Sequence, residues 1–454
     1  MMTLMAFLVG LSVAIVTADE SSTMPRTLAA HPELGNVPAA YAMVHFNFFS
    51  SDVSDMLVSY FTPTLERTYV RFGTSPSSLT QVAFGSSSEW RAGHGFTHTA
   101  VLSGLAHSTH YFFRVANDTR VYDFVTRDAA QTRVRVGVVG DMGIENSANT
   151  IARISKRASS RQFDFMLHIG DVSYADDHFL WFQKTWFAWF AMMNATLSSL
   201  PYMTLPGNHE HGTFDPFIYR DANNFQVYNH YFNMPKPAAE LNNGSMFYSF
   251  NYGPVHFVQI STETSYPNAP WDIKAFGDQM AWLAADLQAA NAPAARQAQP
   301  WIVVSGHRPI YSSSEGYSLN GAPIDSPIPF VPHNSLTLQK TFEKLFQTFG
   351  VDLVLAGHVH SYERLYPTFH NQPTQTTYAS PAAPTYVVVG NAGSIEGLSD
   401  TDTKGWISPQ PAWSAVRIGV YGYGVIDVNG AHALTWSMHN ATDDAVLDTF
   451  TITK

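Results

Sequence analysis

The chain has 454 residues, 45% of them hydrophobic and only 13% charged, which describes two or three well-buried globular domains and excludes an intrinsically disordered chain. A net charge of −11 argues against nucleic acid or an anionic lipid surface as the main partner, but leaves room for a phosphate substrate, because bound metal ions reverse the local field. There is no cysteine, so disulfides, a disulfide-linked dimer and thiolate metal sites are excluded, and any metal must be held by oxygen and nitrogen.

Residues 1–18 read as a signal peptide. Leu4 to Val16 is almost wholly apolar yet short for a bilayer span, and Val16-Thr17-Ala18 offers small residues for cleavage, although no Lys or Arg precedes the apolar run. This predicts a secreted or extracellular protein (or a lysosomal or vacuolar one) without stable membrane insertion. Asn117, Asn194, Asn243 and Asn440 each open an Asn-x-Ser/Thr sequon and are candidate glycosylation sites.

Residues 35–127 are expected to form an all-β unit. Met56 to Thr62, Arg67 to Phe72, Thr97 to Leu102 and Tyr111 to Val115 are short β-rich runs with turn residues between them. Leu102 to Val115 resembles the late strands of a fibronectin type III sandwich. From residue 133 strand-like runs alternate with helical patterns, which predicts an α/β domain continuing to residue 454. Its expected strands are Val134–Val139, Phe163–Ile169, Pro201–Leu205, His256–Ile260, Trp301–Val304, Leu353–Leu355 and Tyr386–Val389. Its expected helices are Ser147–Ala158, Phe179–Met193 and Phe276–Ala290, the second rich in Trp and Phe and read as core-facing. Ala292–Gln299 and Pro373–Pro384 read as loops.

Five short runs close predicted strands: Gly140-Asp141-Met142-Gly143, Gly170-Asp171-Val172-Ser173-Tyr174, Gly207-Asn208-His209-Glu210, Val304-Ser305-Gly306-His307 and Gly357-His358-Val359-His360. Ligands in open α/β sheets bind beyond the carboxyl ends of strands, and the small residues let the backbone turn sharply there. Two Asp, one Tyr, one Asn and three His are the inventory of a two-metal hydrolytic site, with His209 beside them. The donors are hard or borderline, which favours Fe, Mn and Zn over copper. A phenolate needs a strongly polarising ion to stay deprotonated, so Tyr174 points to Fe(III).

These runs resemble the metal-binding motifs of the purple acid phosphatases, within the calcineurin-like metallophosphoesterases. The first run reads D-x-G instead of D-x-H, and the second carries a Tyr. Ala412 to Arg417 and Ala431 to Trp436 are similar, less specifically, to the family's C-terminal segment. The resemblance implies a fibronectin III-like β-sandwich followed by a two-sheet α/β metallophosphoesterase domain. It also implies that Asp141, Tyr174, His360 and a bridging Asp171 hold Fe(III), while Asn208, His307, His358 and Asp171 hold a divalent Zn, Mn or Fe ion. A hydroxide on the metals would attack a small phosphorylated substrate, with Asn208 and His209 binding phosphate and His209 protonating the leaving alkoxide. The implied activity is that of an acid phosphatase acting on phosphate monoesters. A phosphodiesterase or nucleotide pyrophosphatase on the same site is the near alternative, and a secreted binding protein with a vestigial metal site is the alternative of another class.

One run departs from the plant-type pattern. No His pair lies in the ten residues after His307, where plant-type members place one, and Gly306-His307-Arg308-Pro309-Ile310-Tyr311 looks closer to the animal-type branch. Arg308 is a candidate phosphate ligand, or equally the partner of a local carboxylate. His168 is expected to be a core histidine, and His178 and His211 to lie near the site without a direct role. Tyr362 and Glu363 either support the His358/His360 loop or simply pack. Neither the oligomeric state nor the physiological substrate is readable from the sequence.

Overall fold

Alternation of side chains along the central strands decides where the core lies. In Trp301–Ser305, Val303 joins one apolar cluster while Ile302 and Val304 join another, so the strand is buried on both faces, as parallel strands are. The computed structural model describes residues 24–50, 55–128, 130–212, 222–236, 244–271, 273–314, 335–401 and 405–454. The signal-peptide segment 1–18 and Asn243 lie outside the described residues.

The N-terminal part is a β-sandwich. One antiparallel sheet runs in the order Ala42–Phe48, Met56–Thr62, Phe96–Leu102, Ser86–Ser88, and the other Gln81–Phe84, Tyr69–Gly73, His110–Val115, Tyr122–Val125. Phe46 of the first sheet meets Phe113 and Phe124 of the second at ring separations of 5.8 and 5.7 Å. Four of these strands match the β-rich runs in the sequence. The other four include Ser86–Ser88, which has no apolar residue, and Gln81–Phe84, which is largely exposed.

Among its described residues the α/β part is built on two large sheets, with a small two-stranded pairing of Thr368–Phe369 and Gln372–Pro373 beside them. A six-stranded sheet runs Tyr202–Leu205, Phe165–Ile169, Arg133–Val139, Gly422–Asn429, Ala433–Asn440, Val446–Thr453. Its first three strands are parallel and its last three join antiparallel. A seven-stranded sheet runs Tyr248–Tyr252, Val255–Gln259, Trp301–Ser305, Leu353–Ala356, Thr385–Val389, Tyr362–Leu365, Ser414–Ile418, with the four strands from Val255 to Val389 parallel. Val134, Val136 and Val138 of the first sheet share a core with Phe257, Val303, Leu355 and Val387 of the second. The far face of the second sheet packs on Leu283, Leu287, Phe342 and Phe346. Among the described residues no helix is long and apolar enough to cross a membrane.

Several sequence expectations are corrected. Ala292–Gln299 is not a loop: Pro293–Ala298 is helical, started by a proline at its first position, where a fixed φ is already helical and no N–H is needed. The helix expected at Phe179 begins at Phe182, because Trp181 (φ −117°, ψ 12°) ends the preceding 3-10 segment outside helical backbone, and it continues to Leu197. The helix expected at Phe276 begins at Gln279, where Asp278 caps it by accepting the Ala281 N–H at 3.0 Å. The loop expected over Pro373–Pro384 is irregular apart from Pro373, which ends a two-residue strand, and Ala379, which bridges to Thr453.

Tyr362 and Glu363 are structural ties and not supports of the His358/His360 loop. Tyr362 donates to Asp448 Oδ2 at 2.7 Å and accepts from Trp436 Nε1 at 3.1 Å, which ties the two sheets together. Glu363 is buried and accepts from the Ser313 backbone at 2.8 Å and the Ser414 hydroxyl at 2.6 Å. Trp436 fits because Gly424 faces it: a Cβ at Gly424 would lie 2.1 Å from the indole ring. Gly424→Ala is therefore expected to destabilise the fold by about 1–3 kcal/mol through overpacking, read as a lower urea midpoint at unchanged m value. An unmoved midpoint would show that the indole has room to shift.

Candidate metal centre

The parallel strands of both sheets end at one edge, and the five runs follow directly. Asp141 comes after Val139, Asp171 after Ile169, Asn208 after Leu205, His307 after Ser305 and His358 after Ala356. The chain turns so abruptly that Asp141, Asp171, Tyr174 and His358 adopt positive φ (58°, 53°, 55° and 68°), conformations that cost about 1–3 kcal/mol each and gather at functional sites. Loop-to-loop hydrogen bonds hold them there, with the N–H groups of Asp141, Met142 and Gly143 donating to the carbonyls of Gly170, Asp171 and Val172. Gly207 is required for close approach, since a Cβ there would lie 2.1 Å from Asp171 Oδ1.

All seven candidate ligands converge. Asp141, Asp171 and His360 form one group, and Asp171, His307 and His358 another, with ligand atoms within 4.8 Å of one another in each. Tyr174 joins the first: its Oη lies 2.9 Å from His360 Nε2, 3.3 Å from Asp141 Oδ1 and 3.4 Å from Asp171 Oδ2. Asn208 joins the second through Oδ1, 3.1 Å from His307 Nε2. His307 Nε2 also lies 3.0 Å from Asp171 Oδ2. Asp141, Asp171, Tyr174 and His307 are almost completely buried.

The electrostatics fit a cation. Burial pushes the Tyr174 phenol up, and the Asp141 and Asp171 carboxylates push it the same way, so only a strongly polarising ion would hold it as phenolate. Burial also raises the Asp141 carboxyl, against the pull of His307 and His360. Burial opposes a charge on His307, but Asp171 and Asp141 outweigh it and raise it to about 9. The donor set therefore suits two metal ions that share Asp171.

His209 stands at the rim. Its backbone N–H donates to Asp171 Oδ1 at 3.0 Å, and its Nδ1 lies 2.9 Å from both oxygens of Asp176. Its Nε2 is 3.8 Å from Glu396 and 3.9 Å from Asp171 Oδ2, and its ring lies 4.2 Å from that of Tyr174. Asp177 is 4.0 Å from Nδ1. Burial disfavours a charge on His209, but Asp176 and Asp171 outweigh it and hold its pKa well above the ordinary imidazole value.

Arg308 pairs with a local carboxylate. The side chain is buried, and its Nε donates to both oxygens of Glu263 at 2.9 and 3.1 Å, while Nη1 lies 3.0 Å from His358 Nε2. His168 is a core residue, with Nδ1 2.8 Å from the Tyr202 hydroxyl and a pKa lowered to about 3 by burial. His211 stacks on Trp271 at 4.5 Å, and burial lowers it to about 4.

Four residues near the site were given no role by sequence reasoning: Glu210, Asp176, Glu396 and Glu263. Glu210 had a signal, since it closes the third run. Its buried carboxylate accepts the backbone N–H groups of Asp171, Val172 and Gly207, each at 2.8 Å, and so ties two ligand loops together. Glu210→Gln places an amide N–H against one of these donors and is expected to weaken metal binding about 10–100-fold, measured by chelator competition on folded protein. Metal retention equal to wild type would remove Glu210 from the support of the site.

Comparisons with known proteins agree with this geometry. The family model for calcineurin-like phosphoesterase matches residues 134–362, that for the purple acid phosphatase N-terminal domain residues 43–126, and that for the iron/zinc purple acid phosphatase-like protein C residues 383–449. Human acid phosphatase type 7 is 30% identical, with 93% of each chain covered. Purple acid phosphatase 21 of Arabidopsis thaliana is also 30% identical, over 88% of this chain and 82% of its own, so overall identity does not sort the chain between animal and plant forms. Among solved structures, a purple acid phosphatase from yellow lupin seeds superposes with a TM-score of 0.72 at 23% identity, covering 92% of this chain and 75% of that one, which supports the fold. The chain belongs to the purple acid phosphatases, a family of calcineurin-like phosphoesterases.

Proposed function

We infer that the chain is a secreted acid phosphatase that hydrolyses phosphate monoesters with Fe(III) and a divalent ion (Zn, Mn or Fe). The observation that carries this reading is the sharing of Asp171 between two groups of candidate ligands, one of which includes Tyr174. Asp141, Tyr174, His360 and Asp171 would hold Fe(III), and Asn208, His307, His358 and Asp171 the divalent ion. Bound there, the ions supply a nucleophile from water by lowering its pKa and offset charge on the phosphoryl oxygens.

The chain's own groups do the rest. Asp176 accepts from His209 Nδ1, which leaves Nε2, between Asp171 and Glu396, to bind phosphate beside Asn208 and to hand a proton to the leaving alkoxide. An imidazole with a raised pKa carries that proton at acid and neutral pH and loses it as pH rises through the raised value, so activity should decline on the alkaline side. Asp176, Asp177 and Glu396 surround His209 and oppose further negative charge in the leaving group. This favours monoesters of neutral alcohols over nucleotide pyrophosphates. The intact ligand set weighs against a binding protein with a vestigial site.

Export through residues 1–18, a sandwich unit over 35–127 and a catalytic unit over 133–454 complete the reading. Asn117 and Asn194 are exposed and Asn440 is half-buried, so the first two are the more accessible glycosylation candidates.

Purified protein is expected to be purple or pink, with Tyr174→Phe losing the visible band and Asp171→Asn losing both metals by elemental analysis. A colourless, iron-free and fully active wild type would refute the iron assignment. His209→Asn is expected to lower kcat about 10²–10⁴-fold for alkyl phosphates, and less for aryl phosphates whose leaving group needs no proton, at unchanged metal content. An equal loss with both substrate types would make His209 a binding group instead of an acid.

A further inference from the structure

The Arg308–Glu263 pair is not used by the mechanism above, yet it touches the metal centre. Arg308 directly follows His307, and its side chain is 1% exposed against 0% for Glu263. The guanidinium donates through Nε to both Glu263 oxygens, and Thr262 Oγ1 accepts the Arg308 N–H at 2.8 Å while donating to Glu263 Oε1 at 3.0 Å. Nη1 lies 3.0 Å from Nε2 of His358. Arginine keeps its charge and offers only donors, so a fixed cation faces the His358 ring. The cationic end of the pair is thus directed at a residue of the second ligand group, and Glu263 lies on the cation's other side. The first group, of Asp141, Tyr174 and His360, makes no such contact with the pair among its hydrogen bonds.

We propose that the buried Arg308–Glu263 pair is a charge-compensating device for the divalent ion alone: Glu263 neutralises a fixed cation that would otherwise repel the metal held by Asn208, His307, His358 and Asp171. The proposal rests on the two-metal reading. A guanidinium cannot deprotonate, and in a buried site its field is poorly screened, so a lone Arg308 would act directly on a second cation nearby. Glu263 is a positioning residue in this scheme and touches neither substrate nor metal. The iron side, with Asp141, the shared Asp171 and a phenolate, would be much less affected.

The test uses the full-length holoenzyme and the divalent metal itself as probe. Iron and divalent metal per chain are measured by elemental analysis, divalent affinity by chelator competition, and the iron side by the visible band. Wild type lacking two ions per chain would overturn the two-metal reading before any variant is compared. With that reading intact, Glu263→Gln is expected to weaken divalent affinity at least about tenfold while iron content and the band stay at wild-type level. Adding Arg308→Met to Glu263→Gln is expected to restore most of the loss, because the unpaired cation is gone. Unchanged divalent affinity in Glu263→Gln, equal loss of both metals, or a double variant weaker than the single would overturn the proposal. Should Glu263→Gln fail to fold, Arg308→Met is compared with the double variant, since both lack the guanidinium. The Glu263 carboxylate should then keep divalent affinity at or above that of the double variant, and a weaker Arg308→Met would overturn the proposal.

Discussion

One buried carboxylate organises this molecule. Asp171 is 1% exposed, lies at 3.0 Å from His307 Nε2, accepts the His209 N–H at 3.0 Å and belongs to both ligand groups. Asp141 and Tyr174 crowd the same few ångströms. Concentrating acidic donors away from water is unfavourable unless a cation or hydrogen bonds compensate. The fold supplies what compensation a protein can. Two sheets present their parallel strand ends to one point, and loop amides are aimed at the carboxylates, the His209 N–H at Asp171 and the His358 N–H at Asp141. The remaining imbalance of donors is what makes the site a metal site.

The strained backbone belongs to the same design. Four ligand residues at positive φ bring separate side chains to a shared centre without long, flexible approaches. Such conformations persist only where neighbouring loops over-determine them, and the amide ladder between residues 141–143 and 170–172 does so. The glycines at 207 and 357 extend the principle: a Cβ at either would run into Asp171 or Asp141, at 2.1 and 2.4 Å. Their place in the motifs is steric, because the ligand carboxylates occupy the space a side chain would need.

Legibility in the sequence followed distance along the chain. A strand and the ligand run that ends it are contiguous, so Val134–Val139 with Asp141, or Leu353–Leu355 with His358, can be read locally. The Pro293–Ala298 helix is also local, but proline and alanine together read as a loop when the rule for a first-turn proline is not applied. The strand Gly422–Asn429 pairs with Arg133–Val139 across almost the whole domain, and no short pattern announces that neighbour. Glu263 and Arg308 are 45 residues apart and meet only because parallel strands place their loops side by side. Asp176 meets His209, 33 residues away, for the same reason. Ligands could be named from motifs, whereas the groups that orient and balance them depend on topology.

The donor sets of the two halves differ in charge, and that difference orders the chemistry. On one side Asp141, the Tyr174 phenol and the shared Asp171 can present three anionic oxygens beside His360. On the other, Asn208, His307 and His358 are neutral as ligands and leave Asp171 as the only anion. An ion of higher charge is favoured by the first set and one of lower charge by the second. Arg308 steepens the contrast by turning a cation toward His358, and Glu263 limits how far it can go. The acidic rim of Asp176, Asp177 and Glu396 sits around His209 near the tyrosine, where Asp171, Asp176 and Asp177 reinforce a protonated imidazole. On the proposed two-metal reading, the metals would attract phosphate while these carboxylates around His209 would oppose charge on the leaving group, so that one small site could hold an anion and still favour departure of a neutral alcohol.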